Sequence, residues 1–475
     1  IHARMVSSGI HRDRFLCNNL VEAYGRCGDL DSATAVFLTI QDRNVYSWTI
    51  MIVASVQNGD GVLALRLLRE MDCEGVAPDE MTFSSILGAL SGKRDLRQGR
   101  EIHARLRSGG HESNLVVATA LINMYSSCGS IAEAREVFSK TNSRDVVSMS
   151  SMVAALAGSG HGGEAILLFR RMDLEGIASN EITFVAALVA CCDCPGSLAL
   201  GKQIHERIIA GGLGSNVFLA NSLVTMYGRS SEVAEAEAVF RSILRRSLTS
   251  WNSMLAAYAQ NGHSSVALDV HVRMDHEGVA SDEFTFVTLL DACAMAGTLQ
   301  LGRQIHDRTD AMGLMTNGFV ATALLDMYGK RGSLGEARAV FDRHCTGSVV
   351  AWTAMIASYA QHGRSAEALE LYGGMALEGL APNSVTFVNI LSACSYYGMV
   401  DQGWEFFASM RGDHGICPEA VHFGCMVDVL SRAGQLDRAE ELLESLPPFL
   451  TAQLSLLGAC QLHGDLQRGW RVSHR

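Results

Sequence analysis

Residues 18–37, NNLVEAYGRCGDLDSATAVF, set apolar side chains at three- and four-residue steps on both sides of a Cys27-Gly28-Asp29 break. That spacing predicts two short amphipathic helices joined by a tight turn. The same twenty-residue frame returns as TALINMYSSCGSIAEAREVF at 119, NSLVTMYGRSSEVAEAEAVF at 221 and TALLDMYGKRGSLGEARAVF at 322. Its Leu, Tyr, Ala and Val-Phe positions hold. Its first position alternates between two small polar residues: Asn18, Thr119, Asn221 and Thr322.

Aligned frames divide the chain into units beginning at 14, 45, 80, 115, 146, 181, 217, 248, 283, 318, 349, 384 and 420. Their lengths cycle through 31, 35 and 35 or 36 residues. Such a period overrides the several-domain expectation that a chain of 475 residues otherwise carries. Each unit predicts two helices around a Gly-containing turn. In the unit at 248, SWNSMLAAYAQ precedes NGH, and SSVALDVHVRMDHEG follows. Helices this short are marginal alone in water, so their apolar faces must be buried on the partner helix and on neighbouring units. The expected fold is all-α: a right-handed α-solenoid (superhelix) of helix-turn-helix repeats of 31, 35 and 35–36 residues. First helices would line its inside, each offering one side chain from a fixed position.

Composition fits a buried helical stack. Hydrophobic residues make up 48% of the chain and charged residues 19%, enough apolar surface to offset ordering entropy. Only six prolines occur, three of them beyond residue 417, so helices run uninterrupted. No apolar run reaches the roughly 18–20 residues that span a bilayer, and no membrane partner is expected. Ile1-His2-Ala3-Arg4 matches the interior of later units (EIHARL, QIHERI, QIHDRT), so the expectation is a truncated start with any targeting segment upstream. The thirteen cysteines form no regular framework, but Cys27 shares a repeat position with Cys128, and Cys191 with Cys293 and Cys394; such recurrence means packing, and reduced core thiols are expected. The cluster Cys191-Cys192-Cys194 lacks a second CxxC or a His pair, so no metal or other cofactor is expected. The histidines at 2, 103, 205 and 306 recur once per cycle, in different units, as packing residues would.

The stretches VVSMSSMVAALAGSGHGGEAILLFRRMDLEGIASN, SLTSWNSMLAAYAQNGHSSVALDVHVRMDHEGVASD and EFTFVTLLDACAMAGTLQLGRQIH resemble the pentatricopeptide repeat family. The resemblance covers essentially the whole chain. The 31/35/35–36 cycle is similar to the family's PLS subclass of land-plant organelles. It implies a partial L-type repeat at 1–13, twelve repeats in S-P-L cycles over 14–419, a terminal S-type repeat at 420–450, and a truncated extension-like motif at 451–475. It also implies single-stranded RNA as partner, one base being read per repeat by two or three side chains.

In the family the base is read by a repeat's fifth and last residues. Carried over, the pairs are Asn18/Asn44, Thr49/Asp79, Thr119/Asp145, Ser150/Asn180, Asn221/Ser247, Asn252/Asp282, Thr322/Ser348 and Thr353/Asn383. All sixteen come from Asn, Asp, Ser and Thr, whereas a generic solvent-facing position would admit Lys, Glu or Gln. The L-type fifth residues are Ser84, Val185, Val287 and Val388. An ionised Asp only accepts hydrogen bonds and suits the ring N–H of guanine or uracil; Asn both donates and accepts and suits adenine or cytosine. Short Thr or Ser leaves room for a purine, and longer Asn meets a pyrimidine. The implied 5′ to 3′ order is C, G, any, G, A, any, a pyrimidine, U, any, an undefined base, A. Ser247 and Ser348 depart from the usual Asn or Asp and weaken their letters. Val147, Phe218, Phe319 and Val350 would sandwich the bases; Thr249 is a polar exception. A polar residue near a helix start also serves as a cap, but eight pairs sharing one alphabet favour reading.

The charge balance, 38 Lys plus Arg against 50 Asp plus Glu, runs against the basic footprint of nucleic-acid binders. The acids are therefore expected on the outer side, with Arg26, Lys330 and Arg331 in turns after first helices as phosphate contacts and binding sensitive to salt. Enzymatic function is not expected, because neither H-x-E nor P-C-x-x-C, the zinc deaminase signature, occurs. HFGCMVDVLSRAGQLDRAEELL resembles the penultimate unit before a deaminase domain, with Gly424 in the reading position and a shortened linker near Pro447-Pro448. The implied role is site selection for organellar C-to-U editing, with a deaminase or other editing proteins acting in trans or beyond the C-terminus. Transcript stabilisation or processing is the alternative. A tetratricopeptide-like protein-binding scaffold is disfavoured, since that family keeps a 34-residue unit. No small-molecule substrate is expected.

Overall fold

A computed structural model of the chain describes residues 13–141, 145–444 and 450–473, in two compact units, Ile1–Leu244 and Arg245–Arg475. The expected partial repeat (save Asp13), His2 and the linker at Pro447-Pro448 lie outside the described residues. Among the described residues all regular structure is helical, with no strand. In the first unit the leading helices of successive hairpins are Arg14–Arg26, Val45–Gln57, Glu80–Ala89, Leu115–Ser127, Val146–Gly158, Glu181–Asp193 and Val217–Arg229. In the second they are Leu248–Gln260, Glu283–Ala296, Gly318–Lys330, Val349–Gln361, Ser384–Tyr396, Ala420–Arg432 and Leu450–Leu462. Within each unit, a leading helix packs on its own trailing helix and on the leading helices of adjacent hairpins, the arrangement of an α-solenoid.

Hairpin length is set in the trailing helix. Leu30–Thr39, Ile131–Lys140 and Val233–Ser242 have ten residues, whereas Gly61–Cys73, Leu96–Ser108, Gly162–Leu174 and Leu198–Ala210 have thirteen. The short hairpin lacks about one turn at 3.6 residues per turn. Each cycle thus has a short, a middle and a third hairpin. Aromatic pairs fill the core where short meets middle: Phe37 meets Trp48 edge-on at 4.9 Å, and Phe341 meets Trp352 at 4.8 Å. The turn inside each short hairpin needs a left-handed residue. Gly28, Gly129 and Gly332 supply it, but Ser231 holds it at φ 62, where an L side chain is strained.

The once-per-cycle histidines do have a packing role. His103, His205 and His306 on third-hairpin trailing helices meet the hydroxyls of Tyr125, Tyr227 and Tyr328 through Nδ1 at 2.7, 2.9 and 3.0 Å. Burial holds His205 and His306 below the ordinary histidine value. The expectation of core thiols needs correcting at one pair: Cys128 is buried but its equivalent Cys27 is exposed, as are Cys73 and Cys417. Cys191 is buried and Cys192 half-buried, and burial pushes both thiols up to about 11.

The acids do not keep to one side. Many bridge trailing helices, as in Arg105–Asp72 at 2.8 Å, Arg207–Asp173 at 2.8 Å and Arg303–Glu336 at 2.7 Å. Others sit on leading helices beside the cations expected to meet phosphate. Among the described residues no helix is long and apolar enough to cross a membrane.

Candidate nucleic-acid interface

A chain entering a leading helix leaves backbone N–H groups without intrahelical partners, and a short polar side chain just before the helix can satisfy one. That residue is the last of each hairpin. Asn44, Asp79, Asp145, Asn180, Asp282 and Asn383 each turn Oδ1 onto the backbone N–H three residues on, at 2.8 to 3.0 Å. Ser247 and Ser348 do so with Oγ at 3.3 and 3.4 Å. Capping therefore falls to the last residue, where sequence reasoning had set it against the fifth.

This geometry sharpens the chemistry of the pair. With Oδ1 spent on the helix, the arm left over is Nδ2 in Asn and the second carboxylate oxygen in Asp. Asn is then a donor towards a ligand and Asp an acceptor. Serine has no second arm. The third hairpins are built differently: Asn114, Asn216 and Asn317 turn to the N–H two residues on, each at 2.9 Å, with ψ of 127°, 113° and 115°. Asn44, Asp79, Asp145 and Asn180 have ψ between 166° and 179°.

The fifth residues lie deeper. Asn18, Thr49, Ser150, Asn221 and Thr353 are buried; Thr119, Asn252 and Thr322 are half-buried. In middle hairpins the pair is joined through a threonine at the third position of the next leading helix. Thr49 meets Thr82 at 2.6 Å and Thr82 meets Asp79 at 2.7 Å. Ser150, Thr183 and Asn180 repeat the pattern at 2.6 and 2.8 Å, and Thr353, Thr386 and Asn383 at 2.8 and 3.0 Å. Asn252 reaches Asp282 directly, Nδ2 to Oδ1 at 3.0 Å. Short hairpins leave the fifth residue open: Asn18 Oδ1, Thr119 Oγ1 and Asn221 Oδ1 are buried without a hydrogen-bond partner. Thr322 bonds back to Gly318 O at 2.7 Å. Asn221 belongs to the first compact unit and Ser247 to the second.

Beside these polar groups stands an exposed apolar residue at the second position of most leading helices. Phe218 is 79% exposed and Phe319 82%, with Val147 and Val350 also exposed. Phe15, Tyr46, Val116, Met81, Ile182, Phe284, Val385 and Val421 complete the row, and Thr249 and Thr451 are its polar members. Large apolar side chains repeated at one exposed position signal a binding surface. Two clefts show how the groups combine. One, of about 740 Å³, is lined by Phe15, Asn18, Asn44 and Tyr46; the other, of about 640 Å³, by Phe319, Thr322, Ser348 and Val350. Each holds a hairpin's fifth and last residues between two exposed apolar residues.

Hydrogen bonding favours the ionised form of Asp145 and Asp282. Burial would raise Asp282, but hydrogen bonds from Thr285 and Asn252 outweigh it and hold the group below its ordinary 3.8. Asp145 is lowered in the same way, burial being outweighed by hydrogen bonds centred on Ser148. Two of the three expected phosphate contacts, Arg26 and Lys330, are paired with acids. Arg26 and Lys330 end helices rather than lie in turns, and only Arg331 follows one. Arg26 pairs with Glu22 at 2.5 Å and Lys330 with Asp326 at 2.7 Å; Arg229 and Arg432 hold Asp193 and Asp428 at 3.0 Å. Exposed pairs of this kind are worth about 0–1 kcal/mol, so a phosphate can compete for the cation.

A model of the PPR repeat family matches residues 43–92, 246–295 and 347–396. A model of the single PPR repeat matches 15–45, 116–146, 147–177, 218–248, 319–343 and 421–447. A chloroplastic pentatricopeptide repeat-containing protein of Arabidopsis thaliana is 36% identical over all of this chain, which spans 59% of that relative. A second Arabidopsis thaliana relative is 40% identical, with 99% of this chain and 68% of the relative covered. A mitochondrial one is 32% identical, with 98% and 54% covered. Among solved structures, the pentatricopeptide repeat protein PPR10 in complex with an 18-nt psaJ RNA element is similar in fold, with TM-score 0.61 at 18% identity over 96% of this chain and 68% of that one. The chain belongs to the pentatricopeptide repeat family.

Proposed function

We propose that the chain binds single-stranded RNA and reads it one base per short or middle hairpin through the eight pairs from Asn18/Asn44 to Thr353/Asn383. The observation that carries this reading is the repeated placement of a helix-capping Asn or Asp, with one arm to spare, beside a partly buried polar residue and an exposed apolar one. Bases are planar, with two apolar faces and one hydrogen-bonding edge. Such a site offers contacts of both kinds. The 31/35/35–36 cycle supports assignment to the PLS subclass, and with it the division into S-P-L cycles over 14–419, a terminal repeat at 420–450 and an extension-like motif from 451.

Within that subclass the role is to choose sites for C-to-U editing in a mitochondrion or chloroplast, the chemistry coming from a deaminase in trans or beyond this chain. Chloroplastic and mitochondrial names among relatives support an organellar setting. The test is a gel shift with an RNA of the order derived above and a second RNA with purines and pyrimidines exchanged. The first RNA should bind more tightly, and equal binding would refute base reading. Loss of C-to-U conversion at one transcript position in plants lacking the protein would support editing. Loss of the transcript itself would point to stabilisation instead.

A further inference from the structure

Four threonines occupy one structural position and are wholly buried: Thr82, Thr183, Thr285 and Thr386. Each is the third residue of a third-hairpin leading helix, and each hydroxyl sits between the two reading residues of the preceding middle hairpin. Short hairpins lack this link. Ser47 bonds Asn44 but leaves Asn18 Oδ1 without a partner, and Ala351 has no hydroxyl. We infer that Thr82, Thr183, Thr285 and Thr386 are positioning residues that couple the two base-reading side chains of each middle hairpin. The inference rests on the reading proposed above.

The coupling follows from counting protons. A hydroxyl has one proton to give and two lone pairs. Asp79 is an acceptor only, and a hydrogen bond to a carboxylate is stronger than one between neutral groups, so the Thr82 proton goes to Asp79. The Thr49 proton then goes to Thr82, 2.6 Å away, or to the Val45 carbonyl, 2.8 Å away, and on either acceptor it leaves Thr49 an acceptor towards a base. In the Asn252 hairpin the one Thr285 proton is shared between Asn252 Oδ1 and Asp282 Oδ1, each 2.7 Å from Thr285 Oγ1, and Asn252 Nδ2 donates to Asp282 Oδ1 at 3.0 Å. That fixes the orientation of the amide. In the Thr353 hairpin the last residue is Asn383, whose neutral Oδ1 competes less strongly for the Thr386 proton. Which group the last residue is therefore decides what the fifth residue presents. The two positions form one letter.

The test uses the full chain and an RNA carrying A or G at the nucleotide assigned to Thr353/Asn383. In Thr386→Val the preference for A over G should fall about fivefold, the factor one neutral hydrogen bond carries. Discrimination at the neighbouring nucleotides and the helical circular dichroism should stay as in the parent. Thr386→Ser, which keeps a hydroxyl, should retain most of the preference. Changes at 353 and 383 should be non-additive in the parent and additive in Thr386→Val. A folded Thr386→Val with the parent's preference, while Asn383→Asp moves the preference to G, would overturn the coupling and leave base reading standing. An unchanged preference in Asn383→Asp would overturn base reading itself. Should Thr386→Val lose helicity, Thr285→Val decides by the same measures, with U against C at the nucleotide of Asn252/Asp282.

Discussion

On the proposed reading Asp282 carries two jobs, capping a helix and meeting a base, that a pair of substitutions can separate. Its Oδ1 accepts from the Thr285 backbone at 2.8 Å, from the Thr285 hydroxyl at 2.7 Å and from Asn252 at 3.0 Å. The other oxygen is left for a base. In Asp282→Asn the oxygen can keep its place on the helix, because Asn and Asp cap about equally well. The outward arm changes from acceptor to donor. Uracil offers a ring N–H and cytosine a ring nitrogen, so the preferred base should move from U to C. One hydrogen bond is gained and one donor–donor clash relieved, about 1–3 kcal/mol or roughly 5- to 150-fold in relative affinity. In Asp282→Ala the cap goes as well, at a cost of about 1 kcal/mol, and no preference should remain. Fluorescence anisotropy with U and C RNAs gives the ratio, and urea unfolding gives the stability. The reasoning is refuted if Asp282→Asn keeps the parent's preference for U, or if both variants weaken all RNAs alike.

Other outcomes follow from the same coordinates. Because hydrogen bonding holds Asp282 below 3.8, the U over C ratio should stay flat from about pH 8 to pH 5; a midpoint inside that range contradicts an ionised acceptor. Burial depresses His205 and His306, so unfolded chains bind protons that the folded one refuses. Stability present above the unfolded value of about 6.5 should be lost as pH falls below it, and His306→Phe should flatten part of that slope in thermal melts. Ser231→Gly relieves a left-handed serine at φ 62 and should raise stability by about 1 kcal/mol in urea titrations, with RNA affinity unchanged. Asp326→Asn removes the acid 2.7 Å from Lys330. It should raise RNA affinity about two- to fivefold at low salt, and no change would mean that Lys330 does not meet phosphate.

Helix content and the stacked-hairpin fold were legible because apolar spacing reports which face of a helix is buried, and a face is a local property. The restricted alphabet at the fifth and last positions was equally visible. What spacing could not convey was the division of labour inside each pair. Asn383 caps a helix while Thr353 lies buried against Thr386. The Thr353–Thr386 contact joins residues 33 positions apart, brought together only by stacking. A signal for the cap did exist: Asn or Asp three residues before Thr at 79/82, 180/183, 282/285 and 383/386 has capping-box spacing. The ion pairs of Arg26 with Glu22 and of Lys330 with Asp326 have i,i+4 spacing and could have been found locally. Net charge counts acids without saying which cation each one holds.

The most direct test is a single-nucleotide scan of the bound RNA, each position replaced in turn and its dissociation constant measured at fixed salt. Two sensitive nucleotides followed by one insensitive nucleotide, repeating along the site, is the expected profile. The sensitive positions are those assigned to short and middle hairpins and the insensitive ones those assigned to third hairpins. A flat profile, or sensitivity without that three-nucleotide rhythm, would contradict the claim that capped polar pairs read bases.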